Sequence, residues 1–250
     1  MRKPLGLLLW TGRSEIDGRP IAVILTGLQS KSRNKKTGPM LQTWIIRARV
    51  HPVTAIRTGG DVSICGDCPL RGLGCYVEAG QAPAAVYRAL RAGRYERYEP
   101  AEHNQHLRGQ RIRMGSYGDP AAAPYRVWAN LARVCDDHTG YTHQHANPKF
   151  WRFRQLLMAS VDSPAGAAEA QSRGWRTFRV DARPGGSTEI LENEVNCPAS
   201  NESGNRLDCY HCGACSGNRR PIGAPMAVSI CIDVHGRPGT VSQFRQAVTS

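Results

Sequence analysis

Seven of the nine cysteines in this 250-residue chain fall into two clusters, and their spacing is the strongest chemical signal in the sequence. Cys209, Cys212 and Cys215 follow a C-x2-C-x2-C pattern, and Cys197 precedes them with a proline directly after it. This spacing holds three sulfurs on one tight loop around a compact 4Fe-4S cluster, for which Cys197 would be the remote fourth ligand. Zinc is the alternative, although zinc sites more often use two separated C-x2-C pairs.

The cluster nearer the N-terminus contains Cys65, Cys68 and Cys75 in a C-x2-C-x6-C arrangement. Three nearby thiolates and one open position are what a metal needs if it is to bind a substrate or cofactor as well as the protein. The other interpretation is a structural zinc or iron-sulfur site that a distant Cys135 or a histidine completes.

Acidic and imidazole side chains follow the predicted strands beyond this cluster. Asp119 and Asp162 stand at predicted C-terminal strand ends, where α/β barrels place active-site groups, so we expect catalytic roles for them. Either aspartate could instead cap the helix that follows it. His143 and His145 lie two residues apart, which would place both on one face of a strand and suit a metal or a phosphate.

The composition predicts an anionic partner. A formal net charge of +13 attracts polyanions, of which nucleic acid is the commonest. The segment "KFWRFR" interleaves basic and aromatic residues, and aromatic faces stack on bases while basic groups contact phosphates. We therefore predict nucleic-acid contacts from Lys149, Trp151, Arg152 and Arg154, with half-buried helix packing as the other interpretation of this segment.

The N-terminal apolar run, Leu5 to Trp10, is shorter than the core of a signal peptide. No other segment approaches the roughly 20 apolar residues that a membrane span needs. We therefore expect a cytoplasmic protein without a membrane partner, in which reducing conditions disfavour a disulfide framework.

The elements that must position these groups indicate an α/β fold. "RPIAVILTGL" and "MLQTWIIRARV" predict an N-terminal β-hairpin within residues 1–64. Residues 65–195 alternate strands with helices. The clearest unit is a strand to Val161, a helix capped by Ser163 that ends at Gly174, and a following strand. This alternation predicts a parallel sheet, and the small number of units favours a partial TIM-like barrel. Residues 196–250 carry the second cysteine cluster and a closing strand.

The order of these features resembles the barrel of radical S-adenosylmethionine enzymes. It comprises a three-cysteine cluster ending in Cys75 and Tyr76, a strand ending in "GSYGDP", a strand ending in "YTHQ", and "ASVDSP" before a helix and another strand. The resemblance covers about residues 65 to 232 in the order of elements. The usual cysteine spacing in that superfamily is C-x3-C-x2-C, whereas this chain has C-x2-C-x6-C. In its general sequence character, the chain also resembles uncharacterised bacteriophage-encoded proteins.

The resemblance implies a function for each cluster. In that superfamily three cysteines bind a 4Fe-4S cluster whose open iron chelates S-adenosylmethionine, and a "GGEP"-like turn contacts the amino group of the cofactor. The implied cofactor contacts here are Tyr76, Tyr117, Gly118 and Asp119. The cysteines from Cys197 to Cys215 would match an auxiliary cluster, as they also resemble the ligands of bacterial 4Fe-4S ferredoxins.

The leading hypothesis is an iron-sulfur, radical-S-adenosylmethionine-like enzyme that acts on a nucleic acid or nucleotide. The alternative is a zinc-stabilised, basic nucleic-acid-binding protein without catalytic activity, in which both cysteine clusters are structural. A zinc-dependent base-modifying enzyme is disfavoured because no H-x-E motif accompanies the cysteines.

Overall fold

The N-terminal apolar segments form three adjacent antiparallel strands in the computed structural model, which describes residues 2–32, 34–182, 189–200, 203–218, 228–236 and 238–249. They are β1 (Gly6–Arg13), β2 (Pro20–Thr26) and β3 (Leu41–Arg47), with β2 in the middle. Ile21 to Leu25 are fully buried, as expected of a continuous apolar run in a central strand. The predicted hairpin is therefore confirmed as β2 and β3, and the apolar run at the N-terminus belongs to β1.

The following strands alternate with helices and run parallel to β3. The strands are β4 (Glu96–Arg97), β5 (Arg111–Tyr117), β6 (Asp137–Thr142), β7 (Met158–Val161), β8 (Thr177–Asp181), β9 (Glu194–Asn196) and β10 (Ser229–Asp233). The described helices are α1 (Pro52–Arg57), α2 (Val62–Cys65), α3 (Ala82–Arg91), α4 (Pro100–Leu107), α5 (Tyr125–Val134), α6 (Pro164–Ser172), α7 (Cys209–Cys212) and α8 (Pro238–Thr249).

The unit from β7 through α6 to β8 matches the prediction from the sequence. The hydroxyl of Ser163 accepts a 3.1 Å hydrogen bond from the N–H of Gly166, which satisfies one of the free donors at the start of α6. Pro164 follows at the first helical position. Gly174, with φ of 78°, ends the helical segment before β8.

The ten described strands form one mixed sheet in the order β4-β1-β2-β3-β5-β6-β7-β8-β10-β9. Every pair from β3 to β9 in this order is parallel, which confirms the α/β class. The two edges, β4 and β9, do not pair with each other, so the sheet is not closed into a TIM barrel. β10 lies between β8 and β9, inside the sheet rather than at its end.

Two apolar clusters hold the sheet in place. The larger one includes Trp128 and Leu131 of α5 together with Ile21 to Leu25 of β2. The smaller one lies at the β8-β10 end and includes Ile230, Phe244 of α8, and the thiols Cys197 and Cys215. No helix in the described ranges has the length and apolar character needed to cross a membrane.

Candidate functional site

The carboxyl ends of the parallel strands meet at one edge of the sheet, around a chamber of about 630 Å³. Asp119 follows β5, His143 follows β6, Asp162 follows β7 and Cys197 follows β9, and all four line this chamber. Ligands of open α/β sheets bind beyond the carboxyl ends of the strands. The edge is therefore the candidate functional site, and all seven clustered cysteines line it as well.

The first thiol set, Cys65, Cys68 and Cys75, lies on the segment that follows β3 and α1. Cys65 is the last residue of α2, and Gly66 then turns the chain with φ of 55°. The positive φ favours glycine here, and a Cβ atom at Gly66 would in addition lie 2.5 Å from the end of the Gln144 side chain, which would have to move. Burial raises the pKa of Cys68 to about 12, and it raises the pKa of Cys65 and Cys75 as well.

The second thiol set, Cys197, Cys209, Cys212 and Cys215, comes from the end of β9 and from α7 and its following turn. The carboxylate of Asp208 caps α7 by accepting a 2.9 Å hydrogen bond from the N–H of His211. The N–H of Cys197 donates a 2.7 Å hydrogen bond to the carbonyl of Cys231 in β10. The second set is thereby anchored directly to the sheet.

Two cations face the second thiol set. Burial raises the pKa of Cys209, and the charges of Arg113 and Lys36 act in the opposite direction. Lys36 has the same opposing effect on the pKa of Cys197. Both cations line the chamber, so they are placed to balance the negative charge of metal-bound thiolates.

The thiols have the donor chemistry that the implied metal groups need. All nine cysteines are free, and mutual charge repulsion within each set contributes to the raised pKa of its members. Soft thiolate donors suit iron-sulfur clusters and zinc. Across the residues that the structure describes, however, no group of three or more His, Cys, Asp or Glu side chains is arranged to hold a metal ion. The thiols therefore fit a metal group by their chemistry, although the described side chains do not surround a point at which a single metal ion could bind.

The Asp119 carboxylate accepts hydrogen bonds from two segments at the edge of the chamber. One carboxylate oxygen accepts a 2.9 Å hydrogen bond from the N–H of Ala121, which caps the 3-10 helix Pro120–Ala122. The other accepts a 3.0 Å bond from the Thr142 hydroxyl and a 2.8 Å bond from the N–H of His143. Burial raises the pKa of Asp119 to about 6 although these bonds favour the charged form. Asp119 therefore caps the helix that follows it, as the alternative interpretation of this residue predicts.

The second predicted catalytic aspartate, Asp162, has a different environment. The helix after it is capped by Ser163, so the Asp162 carboxylate is not needed as a cap. Burial raises the pKa of Asp162 to about 6. Asp162 is therefore a chamber carboxyl group that caps no helix and whose pKa is raised by burial.

The residues implied as cofactor contacts also line the chamber. Tyr76 stacks on His235 with ring centroids 5.5 Å apart. The Tyr117 hydroxyl is buried without a hydrogen-bond partner. Gly118 has φ of 78°, and a Cβ there would lie 2.8 Å from the carbonyl oxygen of Ile45. The turn at Tyr117, Gly118 and Asp119 is thus pressed against β3 at the chamber wall.

The predicted nucleic-acid segment lies away from this chamber, in the 3-10 helix Pro148–Gln155. Lys149 pairs with Glu15 at 3.1 Å, and the guanidinium of Arg152 lies 4.3 Å from the ring centre of Tyr125. Trp151 packs against the larger apolar cluster. Arg154 donates a 3.5 Å hydrogen bond to the carbonyl of Arg173. All four side chains thus have partners within the protein.

The two histidines predicted on one strand face are separated by the end of β6. His143 lines the chamber, whereas the ring of His145 contacts Trp175 edge-on at 6.4 Å. Cys135 belongs to the larger apolar cluster. Sequence reasoning did not identify Arg113, Lys36 or His235 as chamber residues. Only the basic character of the loop around Lys36 gave a signal, since the proximity of these residues depends on strand order.

Comparison with known proteins does not assign the chain to a family. No protein-family model matches the chain, and searches of the curated proteins and of the solved structures also gave no match.

Proposed function

We propose that the protein is an iron-sulfur enzyme of the radical S-adenosylmethionine-like type, with two 4Fe-4S clusters on one chamber and a nucleic acid or nucleotide as substrate. The observation that carries the proposal is the convergence of two cysteine clusters, separated by more than a hundred residues of sequence, on the same chamber. Structural metal sites have no need to share a cavity with each other.

The C-x2-C-x2-C spacing of the second thiol set favours clusters over zinc. A tetrahedral zinc site needs four donors at about 2.0 to 2.3 Å from one point, and no such arrangement exists among the described residues. A 4Fe-4S cluster binds one thiolate at each iron, so its ligands surround a larger volume. Cys65, Cys68 and Cys75 would hold the first cluster. Cys197, Cys209, Cys212 and Cys215 would hold the second.

The chain's own residues have distinct tasks in this proposal. A 4Fe-4S cluster held by Cys65, Cys68 and Cys75 would supply single electrons to S-adenosylmethionine bound beside it. Asp119 fixes the turn of residues 117–119 against the end of β6. Asp162 takes up or releases a proton at its carboxylate, and Tyr76 and Tyr117 border the cofactor space.

The proposed substrate class rests on charge. The net charge of +13 attracts polyanions, and Lys36 and Arg113 place positive charge at the chamber itself. The segment with Lys149, Trp151, Arg152 and Arg154 would add backbone contacts to a longer nucleic acid only by exchanging its present partners.

Free thiols throughout the chain support a reducing compartment such as the cytoplasm. The run of parallel strands from β3 to β9 supports the partial-barrel description, because active-site groups gather at its carboxyl edge as they do in barrels.

The experiment is to purify the protein without oxygen and measure iron, sulfide, zinc and visible absorption. We expect about eight irons per chain and about half of that in each of Cys65→Ala and Cys212→Ala, since a 4Fe-4S cluster loses its hold when a ligand is removed. Cys135→Ala, at a buried cysteine of the larger apolar cluster that does not line the chamber, is the control and should keep the full complement. Cleavage of S-adenosylmethionine by the reduced wild type then tests the activity.

Colourless protein with stoichiometric zinc would contradict the proposal and favour the zinc-stabilised nucleic-acid-binding protein. That alternative predicts binding to DNA or RNA whose logarithmic affinity falls linearly with the logarithm of salt concentration.

A further inference from the structure

A stack of three aromatic rings lies at the chamber, next to the first thiol set. Tyr76, the residue after Cys75, contacts the fully buried ring of Phe244 in α8, with ring centroids 5.8 Å apart. The His235 ring stacks on Tyr76 with centroids 5.5 Å apart and planes inclined by 22°. All three residues line the chamber, and the His235 side chain is exposed. The buried Phe244 thus anchors the stack, and the exposed His235 ends it.

Hydrogen bonds fix the orientation of the outer ring. His235 lies two residues beyond the carboxyl end of β10, and its Nδ1–H donates a 2.9 Å hydrogen bond to the carbonyl oxygen of Asp233. A further hydrogen bond joins the His235 backbone to the Tyr76 hydroxyl. Because the ring is already ordered, a flat ligand that stacks on it causes little additional loss of side-chain entropy.

The stack has the chemistry of a platform for a nucleobase. Aromatic faces stack on bases of any sequence, and proteins bind single-stranded nucleic acid where such faces lie near positive charge. Lys36 and Arg113 line the same chamber, and the chain has a formal net charge of +13. In contrast, Trp151 of the segment predicted to contact nucleic acid packs against the larger apolar cluster. The exposed ring at the chamber is therefore the better stacking surface.

We propose that His235, supported by Tyr76, stacks on a nucleobase at the chamber. The inference rests on the proposed function only for the nucleotide class of the ligand. Two molecules in that function carry a base, namely the nucleic acid or nucleotide substrate and S-adenosylmethionine. The stacking chemistry is the same for both, so separate binding measurements distinguish them.

The test compares His235→Ala, His235→Phe and His106→Ala with the wild type, all purified without oxygen and matched in metal content. The measurements are the affinity for S-adenosylmethionine and the affinity for oligodeoxyadenylate of about 12 nucleotides, a length within the range of single-strand binding sites. We expect His235→Ala to weaken at least one of them by roughly 5- to 30-fold, the lower part of the range for base–aromatic stacking. His235→Phe supplies a flat ring and should bind like the wild type. His106, on α4 and away from the chamber, is the control position.

Salt dependence separates stacking from a charge contact. A base–aromatic contact releases no counterions, so the slope of logarithmic oligonucleotide affinity against logarithmic salt concentration should be the same in the wild type and in His235→Ala. Weaker oligonucleotide binding assigns the base to the nucleic acid, and weaker S-adenosylmethionine binding assigns it to the cofactor.

The inference and the proposed function fail separately. Unchanged affinity for both ligands in His235→Ala, a loss that His235→Phe does not restore, or a reduced salt slope in His235→Ala would overturn the inference, whichever metal is bound. Zinc in place of iron would contradict the proposed function alone, because the oligonucleotide measurement does not require an iron-sulfur cluster.

Discussion

The backbone N–H of Cys209 donates a 2.8 Å hydrogen bond to the carbonyl oxygen of Lys36. This bond joins the loop between β2 and β3 to α7, across more than 170 residues of sequence. It holds the Lys36 backbone beside the second thiol set, and the Lys36 ammonium opposes the rise in the pKa of Cys197 and Cys209 that burial causes. The N-terminal loop thus supplies a counter-charge for the second proposed cluster.

Lys36→Met should lower the reduction potential of the second cluster. Loss of a nearby positive charge disfavours the added electron, and we expect a decrease of roughly 20 to 60 mV, up to a tenfold change in a one-electron equilibrium constant. The measurement is a redox titration of the Cys65→Ala protein, in which the second cluster remains alone. Lys35→Met, on the same loop and exposed, is the control. Equal shifts from the two variants would show that Lys36 has no specific role.

Gly118→Ala should destabilise the protein more than Gly109→Ala. Both glycines have positive φ, 78° and 72°, so alanine meets a similar conformational cost of about 1 to 2 kcal/mol at either position. A Cβ at Gly118 would in addition lie 2.8 Å from the Ile45 carbonyl oxygen, whereas nothing lies within 4 Å of one at Gly109. Urea unfolding measures both free energies. Equal losses would mean that the turn does not press on β3.

Arg179→Met should remove the second cluster and leave the first. Arg179 Nη2 lies 2.6 Å from Glu194 Oε2, and both side chains are almost fully buried. Removing one partner of a buried ion pair costs about 3 to 5 kcal/mol, because the other charge stays without compensation. Glu194 is the first residue of β9, which leads into Cys197.

The matched control for this variant is Arg173→Met, which breaks the 2.7 Å pair with Glu169 on the surface of α6. An exposed pair contributes about 0 to 1 kcal/mol, so the free energy of unfolding and the iron content should change little. Equal iron loss from both clusters in Arg179→Met would contradict the local role of this ion pair.

Asp162→Asn should stabilise the protein above pH 6. Burial raises the pKa of Asp162 to about 6, so the folded state binds a proton that the unfolded state has lost between about pH 4 and 6, and stability falls as pH rises through this window. Asparagine removes that loss, and we expect a gain on the order of 1 to 3 kcal/mol at pH 7 that disappears below pH 4.

Asp119→Asn is the comparison for Asp162→Asn. Both oxygens of the Asp119 carboxylate accept hydrogen bonds, and the asparagine side chain has only one oxygen, so at least one of these bonds is lost. We expect it to destabilise the protein at pH 7. Urea unfolding at pH 4, 6 and 7 gives both results. A destabilising Asp162→Asn would show that the ionised Asp162 has a favourable partner.

Local sequence signals identified the elements with clear start and stop residues. Ser163, Pro164 and Gly174 defined the unit around α6, and both cysteine clusters were recognised from their spacing. The end of α3 at Arg91 follows from Gly93, which takes a φ of 66° two residues later.

The relationships between distant segments were not accessible from the sequence. Strand order in the sheet decides that Lys36, Arg113 and the two thiol sets meet, and residue spacing contains no information about that order. The carboxyl-edge rule did predict where Asp119 and Asp162 lie, since it depends only on each strand's own end. His143 and His145 were separated because β6 ends at Thr142, one residue before the first of them.

The shared chamber is the central claim, and magnetic coupling between the two reduced clusters tests it most directly. We predict that the electron paramagnetic resonance spectrum of fully reduced wild type is broadened or split relative to the sum of the spectra of Cys65→Ala and Cys212→Ala, because two paramagnetic groups on one chamber interact. A wild-type spectrum equal to that sum would contradict the account.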